Sequence, residues 1–122
     1  MGLTHVAVKL SRPGGRRALS TRLLVDTGAV FTVLPEPIWR RLRLKPEAST
    51  EFLLADGSTI ARPMSECRFA VAGRSATSPV VLGEPGDAAL LGAVTLETLR
   101  LMVNPLSRKL MPMRLLLGAM TA

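Results

Sequence analysis

Apolar and polar positions alternate over Thr4-Val6-Val8-Leu10 as they do in a half-buried strand, and Arg12-Pro13-Gly14-Gly15 then turns the chain. Leu19 to Asp26 reads as the returning strand. Its last part, Leu23-Leu24-Val25, is continuously apolar, a pattern that predicts burial on both faces. After Asp26-Thr27-Gly28-Ala29, Val30 to Leu34 resumes as a strand. Pro35-Glu36-Pro37 opens a short helix, with proline and an acid in the first turn where both are tolerated, and Ile38, Trp39 and Leu42 face the core from it. Thr50 to Leu54 and Ser58 to Arg62 form a hairpin around Ala55-Asp56-Gly57, the strongest turn signal in the chain. Arg68 to Ala72 and Thr77 to Leu82 flank a second turn at Gly73-Arg74, and 83–87 is a loop before the apolar Ala88 to Gly92. Thr95 is placed to cap a helical turn over Leu96 to Leu99, with Glu97 near its positive end. Leu101 to Val103, a turn at 104–107, and Lys109 to Leu117 supply the final strands. So many short strands with so little room for helix predict an all-β fold with one or two short helices.

Length adds that this is one domain. A chain of 122 residues buries roughly two-thirds of its unfolded surface in one core, so 1–122 is expected to fold as one unit. Its apolar residues come in short blocks, none near the ~20 needed to cross a membrane, so no membrane partner is expected. The first six residues lack a basic segment followed by an apolar stretch, so neither export nor a lipid anchor is expected. Cys67 is the only cysteine, which rules out an internal disulfide; a buried structural thiol in a reducing, cytoplasmic setting is the expectation.

Chemistry is narrowed by what is scarce. The single histidine, His5, leaves no base for a Ser-His-Asp or Cys-His centre elsewhere, and one His with one Cys cannot supply a zinc site. No metal and no cofactor are expected. The net charge of +7 raises the question of nucleic acid. Its carriers stand in two weak groups, Arg12, Arg16 and Arg17, and then Arg40, Arg41, Arg43 and Lys45, and tyrosine is absent. A solvated basic surface without a nucleic-acid partner is the expectation.

One carboxylate stands out, because Asp26 follows directly on an apolar strand. Asp-Thr-Gly alone is weak, arising by chance in roughly a few of every hundred chains of this length. Here it is joined to the hairpin at Asp56-Gly57 and to Leu90-Leu91-Gly92 ahead of a helix-compatible Ala93 to Leu99. In this order the chain resembles the retropepsin-like aspartic peptidases over roughly Leu3 to Leu117. It looks closer to their small bacterial and archaeal members than to the viral ones, sharing with them the flap turn and a turn like Val103-Asn104-Pro105.

The resemblance implies a closed or partly open β-barrel of the acid-protease type, working as a homodimer on a peptide or protein substrate. Asp26, Thr27 and Gly28 would be its catalytic triplet, Thr27 bonding across to the partner's loop. Leu24, Ala29, Ala55, Asp56, Gly57, Ser58 and Leu90 would contact substrate, with Leu53 to Ile60 as a closing flap. Such chemistry needs two carboxylates sharing one proton around one water. Asp56 and Asp87, the only other aspartates, sit in turns without an apolar strand before them or Thr-Gly behind, so the pair is Asp26 from each of two chains. The apolar end, Leu110 to Leu117, is the expected dimer strand.

The chain departs from the viral pattern where Val30 and Phe31 replace acidic substrate anchors, and where Ala93-Val94 replace an Arg-Asn pair. Peptide hydrolysis is the leading expectation. A non-catalytic dimeric peptide-binding module and a basic nucleic-acid-binding barrel are its rivals.

Overall fold

Period-two alternation becomes a barrel wall in the computed structural model, which describes residues 4–114. The strands are β1 (His5–Ser11), β2 (Ala18–Val25), β3 (Thr32–Leu34), β4 (Ala48–Leu53), β5 (Thr59–Val71), β6 (Arg74–Leu82), β7 (Leu90–Leu91), β8 (Leu101–Val103) and β9 (Leu110–Pro112). The helices are α1 (Glu36–Arg41) and α2 (Ala93–Thr98). One sheet runs β1-β2-β7-β3-β6-β5-β4. Lys9 to Ser11 of β1 also pair with Arg68 to Ala70 of β5, which closes six strands on themselves and leaves β4 outside the ring. β8 and β9 form a separate hairpin. The all-β barrel with two short helices is therefore as expected. Among the described residues no helix is long and apolar enough to cross a membrane.

Closure explains which face of each strand is apolar. Val8 and Leu10 from β1, Leu23 and Val25 from β2, and Cys67, Phe69 and Val71 from β5 all alternate into one core with Leu34, Val80, Leu82 and Leu91. Leu24, expected to be buried like its neighbours, is only half-buried, because the barrel interior takes Leu23 and Val25. Cys67 is a fully buried free thiol, and burial pushes its pKa up to about 12, so it stays protonated and inert near neutrality.

Four local expectations need correcting. β5 is one continuous strand, not two strands at 58–62 and 68–72. Pro63 does not interrupt it because it pairs only with Ser49 of β4, while β6 begins to pair one residue later, at Met64. The turn into β6 is Ala72-Gly73 rather than Gly73-Arg74; both residues have positive φ, 50° and 78°, and Val71 pairs with Arg74. β3 starts at Thr32, not Val30, because the carbonyls of Ala29 and Val30 accept the N–H groups of Ala93 and Val94 at 2.8 and 2.9 Å. Thr95 lies inside α2 and caps nothing, and Glu97 falls in its last turn. Of the terminal strand expected over 109–117, Leu110–Pro112 is β9, and 115–117 lie outside the described residues.

Thr95 has instead a buried role. Its hydroxyl lies 2.6 Å from that of Thr32 and 2.8 Å from that of Ser78, and all three side chains are fully buried. One direction satisfies every member: Gly92 N–H donates to Thr32 Oγ1, Thr32 to Thr95, Thr95 to Ser78, and Ser78 to the Pro79 carbonyl. The chain of hydroxyls ties β3, α2 and β6 together directly behind the loop that carries Asp26.

Candidate active site

Asp26 is positioned by a strand threaded between two others. β7 lies parallel to β2, with Leu24 opposite Leu90 and Val25 opposite Leu91, and antiparallel to β3 at Val33. Leu24 N–H donates to the Ala89 carbonyl (3.1 Å), and Asp26 N–H to that of Leu91 (3.0 Å). The chain then turns tightly: Ala29 N–H donates to the Asp26 carbonyl (3.1 Å), and Gly28 N–H to Asp26 Oδ1 (2.9 Å). A Cβ on Gly28 would lie 3.2 Å from that oxygen, so glycine lets the N–H approach the carboxylate without crowding it. Asp26 is half-buried, while Thr27 and Gly28 are exposed.

Neither other aspartate stands on a loop of the Asp26 kind, although Asp87 also lines the cleft described below. At the hairpin tip, Asp56 Oδ1 accepts the Ser58 hydroxyl at 2.5 Å and the Ser58 N–H at 2.9 Å, bonds that hold its carboxyl below the usual range. Asp87 Oδ2 accepts the Glu84 N–H at 2.8 Å, closing its own loop. One chain thus carries one loop of the Asp26 kind.

Beside this loop lies an apolar cleft of about 410 Å3, bounded by Ala29, Val30 and Phe31 on one side, Phe52 and Ile60 of the β4–β5 hairpin on another, and Leu90 at its base. Phe31 and Phe52 meet edge to face with centroids 6.2 Å apart. At the rim Arg62 pairs with Glu84 at 2.8 Å, joining β5 to the 83–87 loop. The residues after Ala29 therefore wall the cleft with hydrocarbon, as their identity implies.

The expected contacts divide. Ala29 and Leu90 line the cleft, whereas Leu24 does not, being held in β2 with its backbone spent on β7. Ala55, Asp56, Gly57 and Ser58 are exposed at the hairpin tip and do not line the cleft in the single chain. Sequence reasoning missed Phe52 and Ile60, although they are cross-strand partners on one face and period-two alternation was the available signal. Thr27 lines a different pocket, with Ala93, Leu96, Leu101, Met102 and Met113.

The hairpin tip has its own conformational demand. Leu54 N–H donates to the Ser58 carbonyl and Gly57 N–H to that of Leu54, at 2.8 and 2.9 Å, with Gly57 at φ +86°. Gly57→Val puts a β-branched residue in that left-handed conformation, though nothing lies within 4 Å of its Cβ. A loss of about 1–2 kcal/mol confined to the tip is expected, with melting near wild type and peptide turnover impaired. Unchanged turnover would dissociate the hairpin from substrate handling.

With this geometry described, comparison with known proteins assigns the chain. It belongs to the gag-polyprotein putative aspartyl protease family, whose model matches residues 17–98. Among solved structures it is similar to the EIAV protease complexed with the inhibitor HBY-793, at 17% identity and TM-score 0.56, over 79% of this chain and 86% of that one. It is also similar to the simian foamy virus (mac) protease, at 21% identity and TM-score 0.52, over 77% and 92%. A third likeness is to the foamy viral protease-reverse transcriptase in complex with an RNA/DNA hybrid, at 18% identity and TM-score 0.57, covering 94% of this chain and 13% of that one. At these identities the likeness is one of fold. No curated protein matches the chain.

Proposed function

We propose that the protein is an aspartic endopeptidase that hydrolyses extended, apolar-rich peptides as a homodimer. The observation that carries this reading is the Asp26 loop itself, a half-buried carboxylate oriented by the Gly28 N–H at the edge of an apolar cleft. Two such loops facing each other supply what the reaction needs. Like charges at that distance share a proton, so one carboxylate takes a proton from the bound water while the other donates to the substrate carbonyl. Carboxylates and water suffice, without metal or cofactor.

The second pocket favours a partner chain. Thr27, Ala93, Leu96, Leu101, Met102 and Met113 leave apolar surface beside the Asp26 loop, and another copy covering it would bring the two loops together. With Val30 and Phe31 in place of acids, substrate is held by apolar side chains more than by anchored main chain. A reducing, cytoplasmic setting suits the buried thiol of Cys67. The test is incubation with a mixed peptide library, with and without a statine-type transition-state mimic, alongside sedimentation at several concentrations. Cleavage that the mimic blocks and that tracks the dimer supports the reading. A dimer that binds the mimic and cuts nothing overturns catalysis and leaves a peptide-binding module.

A further inference from the structure

We infer that a basic face remote from the cleft binds the sugar–phosphate backbone of a single-stranded nucleic acid. The two basic segments are more than twenty positions apart in the sequence, which made them look weakly clustered. The fold joins them. The β1–β2 turn lies against the end of α1, so that Arg12, Arg16, Arg17, Arg41 and Arg43 line one small cavity of about 210 Å3. The side-chain ion pairs among the described residues are Arg40–Glu36 and Arg62–Glu84, so none of these five guanidinium groups has an acidic partner there. Five like charges around one cavity repel each other, and an anion seated among them relieves that repulsion.

The cavity is not isolated, and its surroundings select the class of anion. Arg12 and Arg43 also line an adjoining groove of about 640 Å3, whose other walls include Trp39, Arg40 and Lys45. The Trp39 indole N–H donates to the Gly83 carbonyl at 2.8 Å, which fixes the ring, and the Arg40 guanidinium lies 4.8 Å from the ring centroid. A lone phosphate would occupy the small cavity and leave the groove empty. A chain of phosphates carrying planar rings matches both parts, its anions on the arginines and a base against the Trp39–Arg40 stack. An acidic peptide offers the charge without an obligate ring at each step. None of these residues lines the 410 Å3 cleft, so the inference stands or falls separately from peptide hydrolysis.

The test uses the full chain and a fluorescein-labelled oligothymidylate of about 20 nucleotides, followed by anisotropy over a range of salt. Affinity is expected to fall with salt. Arg16→Ala combined with Arg41→Ala should weaken binding by about tenfold or more and lower the slope of log K against log salt by about 1.4, as loss of two phosphate contacts requires. Both side chains are exposed, so melting should be unchanged. Arg22→Ala combined with Lys109→Ala removes equal charge from elsewhere, on exposed positions that line neither the cavity nor the groove, and should change affinity less than about twofold. Trp39 is the only tryptophan, so its fluorescence reports the groove directly and should be quenched by unlabelled oligonucleotide. Equal losses in the two double variants would mean diffuse charge and overturn the site. So would displacement by polyglutamate as effective as by the oligonucleotide, or an unresponsive Trp39.

Discussion

Asp26→Asn is expected to lower peptide cleavage by roughly 10²–10⁴-fold, the range over which positioned acid–base groups act, while fold and self-association persist. In the proposed homodimer one substitution would remove both carboxylates, so no residual half of the pair would remain to activate water. Shape is preserved. The Asn side-chain oxygen can still accept the Gly28 N–H that Asp26 Oδ1 accepts at 2.9 Å, and the main-chain bonds from Asp26 to Leu91 and Ala29 are untouched. Peptide cleavage and sedimentation on the same samples separate the two effects. Cleavage at the wild-type rate would sink the mechanism, and loss of both activity and dimer would move Asp26 from chemistry to architecture.

Gly92→Ala should be the most destabilising Gly→Ala change among the described residues, costing about 3 kcal/mol or more, since overpacking against backbone cannot be relieved by a side-chain rotation. A Cβ there would fall 2.4 Å from the Phe31 carbonyl carbon, 2.6 Å from its oxygen and 2.7 Å from Thr32 N. The two backbones cannot separate cheaply. Gly92 N–H is bound to Thr32 Oγ1 at 3.0 Å, and Ala93 and Val94 N–H are bound to the Ala29 and Val30 carbonyls. Any relaxation pushes 29–32 outward, and with it the wall of the cleft. Urea unfolding read by Trp39 fluorescence gives the stability change; a midpoint equal to wild type would show that the close approach carries no constraint.

Much of this was legible along the chain because it is local. The hairpin at Asp56-Gly57, the proline-led start of α1, and an apolar strand ending in Asp-Thr-Gly each express a few neighbouring residues, and each stands where the pattern places it. Legibility failed where the deciding partner is distant in sequence. Pro63 looks like a break unless one knows that β5 has a single neighbour at that point. Thr95 looks like a cap because its partners, Thr32 and Ser78, are brought to it by the barrel. The Leu-Leu-Gly motif could be noticed without its reason, since nothing near Gly92 in sequence announces the Phe31 backbone against it. The expected flap contacts are a different case. They describe a closed dimer over substrate, whereas in one chain Ala55 to Ser58 face solvent.

The continuity of β5 has a mechanical meaning. Thr59 to Pro63 are paired only to β4, whereas from Met64 onward the same strand is built into the ring through β6, and from Arg68 to Ala70 through β1 as well. The hairpin is therefore a cantilever, without sheet pairing other than its own along its span and clamped at its root. It has no separate hinge loop on the β5 side, so bending concentrates where the double-stranded overhang enters the wall, beside the missing N–H of Pro63. The Phe31–Phe52 contact sits beneath the beam as a rest, and the Arg62–Glu84 pair tethers it near the clamp. Load applied at Gly57 is thus carried by a single uninterrupted backbone into the core strand that holds Phe69.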